Sequence, residues 1–172
     1  FELLRPFGTF EVKKIIKSLN SQSGKQFFSD SHHLIIDREK IIISLIGDLS
    51  NVFDIDENTI KITDPLLMSF KRSIDTVISN DKHIAKLDFN KLTFPLKLRK
   101  WEKGDKFKPL GMQNFKKVSD FFVDEKYSII DKKNQWILCS NNNIIWIVGQ
   151  RIDDRYKIAA NTKKTYIAKL LK

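Results

Sequence analysis

The chain has 172 residues and a formal net charge of +10, with 41% hydrophobic and 30% charged residues. That balance supplies a packed core and excludes a disordered, collagen-like or low-complexity polymer. The single cysteine excludes an internal disulfide, and no apolar run nears the ~20 residues of a membrane helix. Residues 1–90 hold 12 Lys and Arg against 13 Asp and Glu, whereas residues 91–172 hold 19 against 8. The positive charge therefore belongs to the C-terminal half and points to a polyanion, nucleic acid first. Lysine outnumbers arginine 25 to 6, as an AT-rich coding sequence would also produce, but that bias would load both halves alike.

The opening Phe1-Glu2-Leu3-Leu4-Arg5 carries no initiating Met and no signal peptide, and reads as a cut through a longer, cytoplasmic protein. Thr9 is placed to cap a helix from Phe10 to Leu19, in which Val12, Ile15, Ile16 and Leu19 share one face. Residues 20–24 stop it. Gln26–Phe28 and His32–Ile36 read as strands, and Asp37–Glu39 turns the chain into Lys40–Leu45, a hairpin. Residues 1–48 are thus predicted to be a small helix-plus-hairpin remnant, the C-terminal end of a domain, and residues 49–172 a second domain. In the second domain, Thr59–Thr63, Leu66–Phe70 and Ala85–Asp88 read as short strands. Phe94–Trp101 alternates apolar and basic, like a strand with one wet face. Gly104 and Gly111 supply turns. Asn114 is placed to cap a helix from Phe115 to Glu125, with Phe115, Val118, Phe121 and Phe122 on one face. Trp136–Cys139 and Ile144–Val148 read as buried strands about an Asn141–Asn143 turn, and Lys163–Leu171 as the last strand. Strands, helix, strands predicts an α+β domain with a mixed or antiparallel sheet and one main helix.

The chain offers little to catalysis. It has no G-x-x-x-x-G-K-[ST] or G-x-G-x-x-G loop. His32, His33 and His83 lack partners at metal spacing, and His32 and His33 point to opposite faces of a strand. Cys139 reads as a buried inert thiol. Asp120 and Asp124 share a helix face, either as an acid/base pair or as a solvated surface. The basic segment says more. Lys97, Arg99, Lys100, Lys103, Lys106, Lys108, Lys116 and Lys117 are interleaved with Trp101, Phe107 and Phe115, aromatics that either stack on bases or pack. If Asn114 caps the helix, Lys116 and Lys117 fall in its first turn, where exposed amides and two cations would hold a phosphate. The alternative is two solvated lysines.

The string from Leu96 to Met112, with Gly104-Asp105-Lys106-Phe107-Lys108-Pro109-Leu110-Gly111-Met112 at its end, then Lys116-Lys117-Val118-Ser119-Asp120-Phe121-Phe122 and Ile145-Trp146-Ile147-Val148-Gly149-Gln150-Arg151-Ile152-Asp153, resembles the C-terminal domain of the tRNA(Ile)-lysidine synthase family. The likeness is ordered over residues 85–158, and Ser21–Lys25 with the following hairpin is similar to the end of the family's helical middle domain. It implies an enzyme that ligates lysine to the wobble cytidine of the CAU anticodon of tRNA(Ile), using ATP with magnesium in an N-terminal domain. The loop that would hold ATP does not occur in residues 1–172, so the resemblance implies a piece that docks tRNA, lacks the active site and binds no cofactor itself. It implies tRNA contacts at Arg99, Lys100, Lys103, Lys106, Lys108, Lys116, Lys117, Arg151 and Arg155. Asp105, which would repel phosphate, is expected to orient the loop. No membrane partner is expected, and a homo-oligomer stays open. A protein-interaction module with a basic face and a small-molecule-binding domain are the rival readings.

Overall fold

A computed structural model describes residues 7, 10–19, 25–37, 40–45 and 52–171. The chain divides into two compact units, residues 1–49 with 128–131, and residues 50–127 with 132–172.

In the first unit, helix α1 (Val12–Ser18) precedes strands β1 (Gln26–Phe28), β2 (His32–Asp37) and β3 (Lys40–Leu45). The strands form an antiparallel sheet in the order β1-β2-β3, with Leu34 opposite Phe27 and Ile43. Phe10, Ile15, Leu34 and Ile36 make its core, so the two-residue period of β2 delivers Leu34 and Ile36 to one face. The helix is shorter than its apolar spacing predicts. Glu11 is the N-cap without a side-chain cap bond, and Thr9 lies outside the described residues. Ile15 and Ser18 are buried, whereas Ile16 and Leu19 face solvent, because a helix of two turns buries only one i, i+3 line. The turn at residues 38–39 also lies outside the described residues, but Asp37 pairs with Lys40 across it. His33 is buried and stacked on Phe28 at 4.4 Å, while His32 meets Ser31 Oγ at 2.8 Å.

The second unit holds β4 (Phe53–Ile55), β5 (Lys61–Ile62), β6 (Met68–Ser73), β7 (Ile84–Asp88), β8 (Leu96–Lys100), β9 (Lys106–Phe107), β10 (Lys116–Lys117), β11 (Trp136–Ser140), β12 (Asn143–Ile147) and β13 (Thr165–Leu170). Two four-stranded antiparallel sheets run β12-β11-β8-β4 and β5-β6-β13-β7, and β10-β9 is a separate ribbon. One buried cluster draws Leu96, Leu98 and Leu138 from the first sheet and Met68, Phe70, Leu87 and Tyr166 from the second. The opposite face of β11 and β12 supplies Ile137, Cys139, Ile144 and Ile147 to a second cluster. Helix α2 (Val118–Asp124) closes that cluster with Val118, Phe121 and Phe122. Strand β11 is therefore buried on both faces, which is why it reads as an unbroken apolar run.

The fold is α+β with antiparallel sheets, as the sequence predicts. Helix α2, however, begins at Val118 rather than Phe115, with Lys117 extended at its N-cap (φ −64°, ψ 140°) and no side-chain cap bond. Asn114 caps nothing. Buried Phe107 sits on β9, and Lys116 pairs with it as strand instead of joining the helix. The sequence reading also misses β4, β9, the 3-10 turns Phe89–Lys91 and Asp154–Tyr156, and helix α3 (Ile129–Asn134). Helix α3 opens on a capping box in which Ser128 N donates to Asp131 Oδ2 and Asp131 N to Ser128 Oγ, at 3.0 and 3.1 Å. Among the described residues no helix is long and apolar enough to cross a membrane, and no group of three or more His, Cys, Asp or Glu is placed to hold a metal ion.

Candidate nucleic-acid interface

Strand β8 alternates because Leu96 and Leu98 enter the core and Lys97 and Arg99 face away from it. Past its end, Gly104 takes φ +104°, a conformation that side chains disfavour, and the chain doubles back. Asp105 fixes this turn. Its carboxylate accepts from Arg99 Nη1 at 2.9 Å, Arg99 Nη2 at 2.8 Å and the Glu102 amide at 2.8 Å. The Arg99 and Asp105 side chains are only 20% and 13% exposed. The Asp105 bonds hold the Arg99 guanidinium above its ordinary range, against the opposing effect of burial. Such a pairing spends the end-on edge of the fork on a carboxylate instead of a phosphate. Asp105 therefore orients the loop through Arg99. Cys139 lies in the second cluster, and burial pushes its thiol up to about 11, which makes it inert at neutral pH.

The ribbon sorts the next lysines by face. Lys106 stands directly opposite Lys117, and Lys116 opposite Phe107. Phe107 is fully buried beneath α2, and on the same side Lys116 pairs with Asp124 of that helix. Lys106 and Lys117 are both exposed and make no ion pair among the described residues. Like charges directly opposed across a strand pair are unfavourable, and a phosphate between them would remove that cost. The expected helix-terminus phosphate site does not form, since neither lysine lies in the helix.

Beside the ribbon, Phe115 is 53% exposed and belongs to no described core cluster. Arg155 brings its guanidinium carbon to 4.9 Å from the ring centre, and Lys106 Nζ lies 5.7 Å from it. Arg155 is itself held. Its Nε and Nη2 donate to Asp153 at 2.9 and 2.8 Å, and its Nη1 to Asn143 Oδ1 at 3.0 Å. Asp153 is wholly buried and also accepts from the Arg155 and Lys108 amides at 2.9 and 2.8 Å. An open cleft of about 260 Å³ results, lined by Asp105, whose carboxylate Arg99 neutralises, and by Lys106, Phe115, Asn142, Asn143 and Arg155.

The remaining candidates lie around these. Lys100 rests 4.3 Å over the Trp136 ring and donates to the Asn134 carbonyl at 2.7 Å, and burial lowers its amine to about 8. Lys103 is exposed in the Gly104 turn, Lys108 is half-buried with its backbone on Asp153, and Arg151 is exposed after β12. Thus Lys103, Lys106, Lys108, Lys117 and Arg151 make no ion pair among the described residues, whereas Arg99, Lys116 and Arg155 are committed to carboxylates. Of the interleaved aromatics, Phe107 is core and Trp101 stacks edge-on against Phe122 at 5.0 Å, leaving Phe115 open. Asn142 and Asn143 read only as a turn in the sequence. Nothing local marks them as neighbours of Phe115.

Comparison with known proteins identifies relatives of the chain. The family model described as TilS substrate binding domain matches residues 1–46, and that described as TilS substrate C-terminal domain matches residues 96–168. A tRNA(Ile)-lysidine synthase of Parabacteroides distasonis is 40% identical over 99% of the chain and 40% of its own length. That of Bacteroides thetaiotaomicron is 37% identical over 99% and 39%. The chain spans about two fifths of the length of these curated relatives. A crystal structure of a TILS C-terminal domain superposes with a TM-score of 0.58 over 69% of this chain and 95% of that one; at 12% identity it speaks for the fold alone.

Proposed function

The chain belongs to the tRNA(Ile)-lysidine synthase family, to whose C-terminal part it corresponds, and from that premise we propose that it is the tRNA-docking region of an ATP-dependent ligase. The whole enzyme would join lysine to the wobble cytidine of tRNA(Ile) bearing a CAU anticodon, in the cytoplasm. ATP, magnesium and lysine would be handled outside these residues, and the 172-residue chain alone would release no AMP from ATP. Residues 1–48 would end the helical middle domain and residues 49–172 would grip the tRNA body. One observation carries this reading: Lys106 and Lys117 face each other unneutralised on an exposed ribbon, beside a cleft floored by Arg155. Lys103, Lys108 and Arg151 extend the positive field. Arg99, Lys116 and Arg155 act through the residues they hold, and Lys100 lies at the margin, its amine engaged with Trp136 and Asn134. Cations of this kind position an RNA without reading its sequence, and duplex RNA is met largely through phosphates and 2′-hydroxyls.

The test is a salt titration of binding to unmodified tRNA(Ile) with the CAU anticodon, beside a methionine tRNA with the same anticodon. About five phosphate contacts give a log–log slope of about −3.5 to −4.5. A slope in that range supports docking. A preference for the isoleucine tRNA would place identity reading in this chain, and equal affinity would make it an electrostatic clamp. A flat slope with weak binding overturns the reading in favour of a protein-interaction module.

A further inference from the structure

The ribbon bears a feature that phosphate docking does not use. Phe115 lies two residues before Lys117, and its ring centre is 5.7 Å from Lys106 Nζ, which places it on the side of the ribbon where Lys106 and Lys117 stand. The ring is 53% exposed, and an aromatic side chain left half in water forgoes the burial that usually justifies it. Its neighbour Arg155 has spent Nε, Nη1 and Nη2 on Asp153 and Asn143. With three of its five N–H donors spent, the guanidinium packs against the Phe115 ring at 4.9 Å and the Tyr156 ring at 5.6 Å and so backs the exposed aromatic.

We infer that the cleft at Phe115 takes an unpaired ribonucleotide, its base against the Phe115 ring and its phosphate between Lys106 and Lys117. An aromatic surface with a cation at the reach of a nucleotide's own phosphate is the arrangement that single-stranded nucleic acid requires. A paired base cannot use it, because in an A-form helix both of its faces are stacked within the duplex. The exposed side chain of Asn142, on the cleft rim, offers hydrogen bonds to a base edge. The inference rests on the tRNA-docking reading and narrows it to a loop or an end of the RNA at this point.

Fluorescence anisotropy with short fluorescein-labelled oligo(A) and oligo(C) RNA, and with a labelled RNA duplex, tests it on the 172-residue chain. Phe115→Ala and Phe115→Leu are expected to weaken single-strand binding by about 5- to 150-fold, the span of ~1–3 kcal/mol per stacked base. Salt slope and duplex affinity should stay as in the parent, and Phe115→Trp should keep single-strand affinity. Since Phe115 joins no described core cluster, thermal melts should show all three variants folded. If Phe115→Ala leaves single-strand affinity within about twofold while Lys106→Glu and Lys117→Glu reduce it, the nucleotide cleft is refuted and the docking surface stands. If none of these variants changes any affinity, both fail. Equal loss of single-strand and duplex binding in Phe115→Ala also refutes the cleft, because it marks the ring as a prop for the ribbon.

Discussion

Two ends of one basic segment spend their charge in opposite ways. At the β8 end, Arg99 is drawn inward and locked to Asp105, and the charge serves the shape of the Gly104 turn. At the ribbon, Lys106 and Lys117 are turned outward against each other and make no ion pair among the described residues. Both stretches look alike in sequence, lysines and an arginine among apolar residues. The difference comes from alternation and burial: a cation whose neighbours enter a core must find a carboxylate, and one on a wet face need not. Positive charge in this chain is thus divided between ion pairs that hold the scaffold and lysines left without an ion pair among the described residues.

Four outcomes test that division. The largest effect is expected from Asp105→Asn, which strips Arg99 of its charged partner. The loss should be about 1.5–3 kcal/mol of stability in urea unfolding, with the salt slope of RNA binding unchanged in the folded variant. A changed slope would show that Arg99 reaches phosphate after all. Next, the pair Lys106→Ala and Lys117→Ala should flatten that slope by about 0.7–0.9, the share of the one phosphate held between them, at little cost in melting temperature. Then Lys117→Glu alone should turn a repulsive cross-strand pair into an attractive one and raise stability by about 0.2–1 kcal/mol while weakening RNA binding. A variant more stable yet poorer in function is the signature of charges kept for a partner. Smallest is a pH effect at Lys100. Its folded value, about 8, lies below the ordinary 10.5, so the unfolded chain binds more protons between those values. Stability should therefore rise as pH is taken from about 8 to 10.5 and level off above. Lys100→Met should remove that rise, measured by urea unfolding at several pH values.

Much of the fold was legible because its signals are local. The Leu96 and Leu98 alternation gave β8 its buried face, and the apolar runs at 136–139 and 144–148 marked strands covered on both sides. The start of α2 was not legible. Asn114 looks like a cap, but the decisive contact is the pairing of Lys116 with Phe107, nine residues back, and such pairing leaves no mark at position 114. Helix α3 did carry a local signal, the Ser128–Asp131 box, hidden by an apolar content too low to suggest a helix. At the site, the sequence supplied the cations and the open aromatic but not their division. That Lys116 answers Asp124 and that Asp153 is buried under Arg155 are facts of packing, and only packing separates them from Lys117 and Arg151.

Asp153 takes four hydrogen bonds while wholly out of water. All four donors come from Arg155 and from the Lys108 backbone. The ordering of Arg155 is thereby completed during folding, and an RNA docking at the cleft would have only its lysines, not its arginine, to freeze there. The rotamer entropy of an arginine is of order 2 kcal/mol, so preorganisation of this kind lengthens residence rather than speeding encounter. A lesion at Asp153 would accordingly show itself first as faster dissociation of RNA, with the charge of the surface barely altered.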